Sequence, residues 1–325
     1  MTSPTRAVSI AMLLDGKGGG RELTDAEVAS WTPADGVLWV DLNLNSRPGR
    51  QWLAEGGLIS DNVTSILLAE ETRPRSLAID DGLVVIMRGI NMNPGAVPDD
   101  MVAVRIWLGR DCIVTSRRRK VLSVRDVRDD LLARQGPKSA GQFLIALTAT
   151  LATRIEAAVE NIENLLGELG ERLGSGDIAA VRTELGILRR QAAAIRRHLS
   201  PQRDAIDRLA RNPAGVLSAD DIFELREEGD HLTRHIEDLD LARENALVTQ
   251  EELMNRIAQE QNSRMYLLSV IAAVFLPLTF VTGMLGMNVA GLPGTTNPNG
   301  FLISAVTMVA LGIVLVVYFK WKKWI

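Results

Sequence analysis

Two uncharged apolar runs close this chain, at 265–285 (MYLLSVIAAVFLPLTFVTGML) and 301–319 (FLISAVTMVALGIVLVVYF), and they restrict its fold more than any other feature. At 1.5 Å of rise per residue, each matches the length a helix needs to cross the hydrocarbon core of a bilayer. The competing reading, a pair of buried helices in a soluble protein, leaves the flanking residues unexplained. Arg264 stands directly before the first run, Lys320, Lys322 and Lys323 directly follow the second, and the fifteen residues between, 286–300, carry no charge. The positive-inside rule then places both ends of the hairpin on the cytoplasmic side and the loop outside. Trp321 and Trp324 alternate with those lysines and suit the membrane–water interface better than a basic nucleic-acid patch.

The rest of the chain is long enough to bury a core of its own, with 46% hydrophobic and 23% charged residues overall. A net charge of -4 leaves no basic face for nucleic acid. Cys112 is the single cysteine, which excludes intrachain disulfides and thiolate-cluster zinc sites and fits a reducing cytosol. The N-terminus, MTSPTRAVSI, lacks the apolar core of a signal peptide, so residues 1–135 are expected to stay cytoplasmic. Within them, β-branched runs at 8–14, 37–42, 83–90, 101–108 and 112–116 alternate with helical patterns at 24–30, 46–55 and 61–71, which predicts an α/β sandwich. Thr24-x-x-Glu27 reads as a capping box. The segment 15–21 (DGKGGGR) resembles a phosphate loop only loosely. Position 11 is alanine where the pattern needs glycine, and neither Ser nor Thr follows Lys17, so a turn is expected. Neither a nucleophile elbow nor HExxH occurs, and no enzyme activity is expected.

From about residue 139 the period becomes helical. Residues 136–217 predict a helical hairpin, broken at 174–176 (GSG) and again at Pro201. Ser218 with Asp221 reads as an N-cap, after which nothing stops a helix before Gly286 except Gly229. Such a helix is about 100 Å long at 1.5 Å per residue, a rod comprising a stalk at 218–264 and the first span at 265–285. Pro277 within the span predicts a local bend. One seam of the rod, Leu225, Leu232, Leu239, Ala246 and Leu253, repeats every seven residues and is built for packing on other helices. A second stripe runs through Glu251, Asn255, Ala258, Asn262, Met265, Ser269, Ala272, Leu276, Thr279 and Gly283, small or polar where it enters the bilayer. Helices ringed about a water-filled axis turn such a face inward. The alternative is that Ser269 and Thr279 bond only their own backbone.

Gly286-Met287-Asn288 at the outer end of the first span, two C-terminal spans and a long helix feeding them together resemble the CorA metal-ion transporter family. Within it, Pro277-Leu278-Thr279-Phe280, Asn288-Val289, Gly291-Leu292-Pro293-Gly294, Glu71-Thr72-Arg73-Pro74-Arg75 and Arg88-Gly89-Ile90-Asn91 are similar to the ZntB zinc-transporter branch. Magnesium-transporting members usually carry an acidic residue in the loop after the tripeptide, and this loop has none. The resemblance implies a funnel-shaped homopentamer in a bacterial inner membrane, with the first span lining the pore, 286–300 as outer loop, the second span at 301–319 facing lipid, and 320–325 as a basic cytoplasmic tail. It implies divalent-cation transport with Zn2+ favoured as cargo and no covalently bound cofactor. A magnesium, cobalt or nickel channel of the same family, or a membrane-anchored scaffold that transports nothing, are the alternatives.

On that basis Gly286, Met287 and Asn288 form the pore mouth, where a ring of Asn288 amide oxygens suits a hydrated divalent cation. As a lone residue, Asn288 also suits a helix C-cap. His231 and His235, four apart beside Glu228, Asp230 and Asp238, form a candidate metal pair, against which stands the reading of solvated stalk histidines. Asp80-Asp81 before Gly82 is a weaker metal candidate than a turn.

Overall fold

The computed structural model describes residues 7–70, 73–96, 100–173, 178–287, 292 and 297–322. They fall into two compact units, Met1–Gln250 and Glu251–Ile325.

The first unit is built on a seven-stranded mixed sheet: β1 (Val8–Leu14), β2 (Gly20–Glu22), β3 (Val37–Asn43), β4 (Arg75–Ile79), β5 (Gly82–Gly89), β6 (Val102–Leu108) and β7 (Cys112–Arg117). Their order is β2-β1-β3-β7-β6-β5-β4. Only β3 and β7 run parallel, Leu38 facing Cys112 and Asn43 facing Arg117. Alternation along β3 separates two cores, since successive side chains leave a strand on opposite faces. Leu38, Val40 and Leu42 join a buried cluster with Val28 of α1 (Asp25–Ser30), Leu53 of α2 (Arg47–Glu55), and Val63 and Leu67 of α3 (Asp61–Leu68). On the other face Trp39 packs its ring against Phe143, centroids 4.7 Å apart, at the start of α5 (Ala140–Arg172). With α4 (Leu122–Leu132) and α6 (Ile178–Arg211) the result is the expected α/β sandwich. Buried Asp41 is held within it by Thr115 Oγ1, which donates to it at 2.9 Å, and Arg117 Nε, which donates at 3.0 Å.

Local chemistry sets the element boundaries. The Thr24–Glu27 capping box forms in both directions. Ser46, Ser60 and Ser139 each accept from the backbone N–H three residues on and so start α2, α3 and α5. Ser218 Oγ accepts from Asp221 N at 3.1 Å while Asp221 accepts from Ser218 N at 2.8 Å, the cap expected for α7 (Ala219–Leu285). Residues 15–19 form the β1–β2 turn, where Asp15 Oδ1 accepts from Lys17 N and Gly19 N and Gly16 and Gly18 take positive φ. Two short strands, β2 and β4, escape the sequence pattern.

One expectation is corrected. Pro201 does not break the second helix of the hairpin: α6 continues through it to Arg211. Gln202, Ala205, Ile206 and Leu209 beyond it are buried, and the Ser200 hydroxyl donates to Arg196 O at 3.5 Å. Tertiary packing of that turn outweighs the loss of one backbone donor.

By length and composition, three helices among the described residues could span a membrane. In α5 half of the most apolar window is buried; in α7 and α8 (Gly300–Trp321) none of it is. The difference singles out the C-terminal pair as the helices whose apolar surface needs a bilayer or further copies to cover it.

Candidate cation-conduction site

The α7 seam is buried as its heptad spacing predicts, with Leu225, Leu232, Leu239, Ala246 and Leu253 all nearly inaccessible. The second stripe behaves oppositely. Glu251, Asn255, Asn262, Met265, Ser269, Ala272, Leu276, Thr279 and Gly283 are all exposed, and Leu276 is 67% accessible.

Within the second unit, the partly covered residues of the first span are Val270, Ala273, Val274, Leu278 and Val281. At 100° per residue Val270, Val274, Leu278 and Val281 lie across the helix from Met265, Ser269, Ala272, Leu276 and Thr279, and Ala273 lies at the edge between the two faces. Their covered counterparts on α8 are Gly300, Ser304, Met308, Leu311, Gly312, Leu315 and Phe319, a face with small residues at four-residue steps. A Cβ placed at Gly312 would stand 3.8 Å from Leu278 Cδ1, so the two helices approach closely there. The α8 face went unnoticed in the sequence because its small residues are diluted among Ile and Val. Its signal is the Gly300-x3-Ser304 and Met308-x3-Gly312 spacing.

Ser269 Oγ donates to Met265 O at 2.9 Å and Thr282 Oγ1 to Thr279 O at 2.9 Å, so both hydroxyls satisfy their own helix. A hydroxyl donating this way keeps lone pairs for a cation. The helix ends as Gly286 N bonds Thr282 O at 2.9 Å and Met287 N reaches Met284 O at 3.5 Å. Thr282, Gly286, Asn297, Gly300 and Ser304 line a cavity of about 560 Å3 between the last turn of α7 and the first of α8. Asn288, Val289, Gly291, Pro293, Gly294, Lys323 and Trp324 lie outside the described residues, as do Glu71 and Thr72.

The candidate metal positions of the first unit are not gathered. Asp80 and Asp81, with φ of 49° and 56°, make the tight β4–β5 turn, and Asp80 accepts a short hydrogen bond from Ser60 Oγ. His235 is 9% exposed, with Nδ1 3.9 Å from the Asp238 carboxylate, and burial pushes its pKa down. His231 is half-buried one turn earlier. Burial raises the pKa of Glu228, three residues before His231. Among the described residues no group of three or more His, Cys, Asp or Glu is arranged to hold a metal ion. Burial also pushes the Cys112 thiol up to about 12, which makes it a poor ligand and nucleophile. A larger cavity of about 1030 Å3 in the first unit, between the β5–β6 connection and α5, includes the Asp126–Arg154 ion pair.

Comparison with known proteins fits this arrangement: residues 34–322 match the family described as CorA-like Mg2+ transporter protein. The chain belongs to that family. Among curated relatives, the divalent cation transporter CmaX of Pseudomonas aeruginosa is 36% identical over 303 residues, covering 92% of this chain and 91% of its own. Zinc transport protein ZntB of Yersinia enterocolitica is 33% identical over 312 residues, covering 96% and 94%. The solved full-length CmaX structure superposes with a TM-score of 0.83 at 33% identity over all of both chains. The CorA magnesium transporter of Methanocaldococcus jannaschii also gives 0.83, at 19% identity, a likeness of fold alone. An N-terminal α/β domain, a long helix and two C-terminal apolar helices are therefore the architecture of this chain and of its family.

Proposed function

We propose that this chain carries divalent cations across a bacterial inner membrane, zinc first among them, through a pore formed by five copies. Both termini are cytoplasmic, α7 lines the axis, α8 faces lipid, and Asn288 rings the outer mouth. The observation that carries this reading is the placement of the small and polar stripe on the side of α7 turned away from α8. A face free of its own hairpin partner, lined with amide, hydroxyl and small side chains, suits the wall of a water-filled axis. Leu276 and Met265 would be its apolar constrictions and Glu251 an acidic ring at its inner end.

Family membership and the names of the relatives, one a zinc transport protein and one a divalent cation transporter, support the cargo class. The stripe offers neither thiolate nor imidazole, so its ligands suit hydrated divalent ions broadly, and magnesium, cobalt and nickel keep a second place. Neither span contains Asp, Glu, His, Lys or Arg, and a proton relay inside the bilayer ordinarily needs one. Any proton coupling then arises outside the bilayer core, or transport is channel-like and responds to membrane voltage.

The test is dye-reported flux of Zn2+, Mg2+, Co2+ and Ni2+ into proteoliposomes, for wild type and Asn288→Ala. Wild type should conduct in proportion to voltage, and the variant should lose about tenfold or more of its rate, the size of one removed polar contact. Equal flux for the two proteins removes Asn288 from the mouth. Strict dependence on a pH gradient at zero voltage defeats the channel.

A further inference from the structure

The transport reading uses the charged end of the α7–α8 pair only to orient the spans. Glu260 is the last acidic side chain of the sequence, and Arg264, Lys320, Lys322 and Lys323 follow it. Residues of the second unit outside the described set, 288–291, 293–296 and 323–325, contain neither Asp nor Glu, so they bring no acidic side chain to this end. Arg264 stands 3.6 Å from Glu260 with side chains 81% and 53% exposed, a pair that water screens. Lys320 and Lys322 are exposed and have no ion-pair partner among the described residues. The Lys322 ammonium lies 5.5 Å from the centre of the Trp321 ring. Trp321 is itself 75% exposed, its ring centre 6.5 Å from that of Tyr318.

Helix geometry places these groups. The last turn of α7 and the first of α8 line one cavity, so the two helices run antiparallel, and a Cβ at Gly312 would stand 3.8 Å from Leu278 Cδ1. At 1.5 Å per residue, Arg264 lies about 21 Å from that contact along α7, and Lys320 and Lys322 lie about 12 and 15 Å from it along α8 in the same direction. The cations therefore share a layer about 9 Å deep, close to the headgroup layer on one side of a bilayer, about 5–8 Å. At about 100° per residue, Lys322 falls on the α8 face that meets α7, Arg264 at the edge of the α7 face that meets α8, and Lys320 and Trp321 on the outer side of α8. Arg264 and Lys322 thus flank a notch between the helix ends. Lysines at headgroup depth with no carboxylate beside them draw their counter-charge from lipid phosphate, and an exposed Trp with long Lys stems suits the same depth.

We propose that this end of the α7–α8 pair binds the headgroup of one anionic phospholipid, its phosphate held between Arg264 and Lys322, with Lys320 and Trp321 beside it on the outer side of α8. A phosphatidylglycerol headgroup supplies the net negative charge that the notch lacks, which a zwitterionic headgroup does not. The inference rests on α7 and α8 crossing a bilayer, and depends neither on the cargo nor on the number of copies.

Native mass spectrometry of the detergent-solubilised full chain, titrated separately with phosphatidylglycerol and phosphatidylcholine, tests it. Phosphatidylglycerol is expected to saturate at one lipid per chain and to bind about tenfold or more tightly than phosphatidylcholine. Arg264→Gln and Lys322→Gln should each weaken it about fivefold, the effect of one basic residue at an anionic surface, while Lys322→Arg should keep it. Both positions are exposed, and unchanged melting temperatures without lipid check that the variants fold. Equal affinity for the two lipids, or an anionic preference unchanged in both Gln variants, overturns the proposal. So does displacement of the lipid by an equal concentration of inorganic phosphate, which would assign the notch to a free anion. None of these outcomes bears on dye-reported flux, and absence of flux in wild type would leave the lipid measurement as it stands.

Discussion

His198 illustrates how one residue's surroundings become a property of the whole domain. Burial and the neighbouring Arg88 and Arg197 hold its imidazole near 4, against an ordinary value of 6.5. Between those values the unfolded chain binds a proton that the folded one refuses, so His198 supports the fold fully above about 6.5 and loses that support as pH falls toward about 4. His235, also lowered by burial, acts with the same sign. The expected outcome is a melting temperature of the purified protein that falls with pH across this window and falls less steeply in His198→Gln. Identical slopes would show that His198 is not the titrating group. Its neighbour Arg197 is the only local sign of this, since the burial is tertiary and Arg88 comes from β5, more than a hundred residues earlier. Asp80 and Asp81 make the reverse case: the Asp-Asp-Gly turn was readable from three residues because positive φ is a local matter.

At the scale of elements, caps and periodicities carried most of the information. Thr24 and Ser218 start helices as their side chains predict, and Ser46, Ser60 and Ser139 cap theirs in the same way. The stop at Pro201 failed because the next turns of α6 bury five side chains, Gln202, Ala205, Ile206, Leu209 and Ala210. The α7–α8 contact gives a quantitative test. At Gly312 an added Cβ meets Leu278 Cδ1 at 3.8 Å, an ordinary van der Waals distance, so Gly312→Ala should leave thermal stability in detergent nearly unchanged. Gly312→Leu adds three further carbons toward Leu278 and should cost about 1–3 kcal/mol, the usual penalty for overpacking. Equal melting curves for the two variants would mean that this face does not pack on α7 at all.

For the whole molecule, the decisive quantity is apolar surface with nothing covering it in a single chain. Phe280 is 71% exposed, Leu276 67% and Phe301 87%, all on the C-terminal helices. Some of that area suits lipid, whereas the stripe through Ser269 and Thr279 gains little from it, and the proposed pore would cover the stripe with other copies. A ring requires several chains, because two spans cannot enclose an aqueous path. Native mass spectrometry from detergent should give five copies, and a monomer or dimer that retains flux would sink the shared-axis arrangement.

By itself the sequence determined most of the elements and the architecture they belong to. Two spans, one long rod with a buried seven-residue seam, the caps and the family tripeptide are all local or periodic features, set by backbone geometry and by the cost of wetting apolar side chains. Strand order, the continuation through Pro201, the face of α7 that α8 leaves open and the Arg264–Lys322 notch are pairings between residues far apart in the chain. Only the tertiary structure decided them, because side-chain packing and the burial of charge depend on neighbours that no stretch of sequence contains.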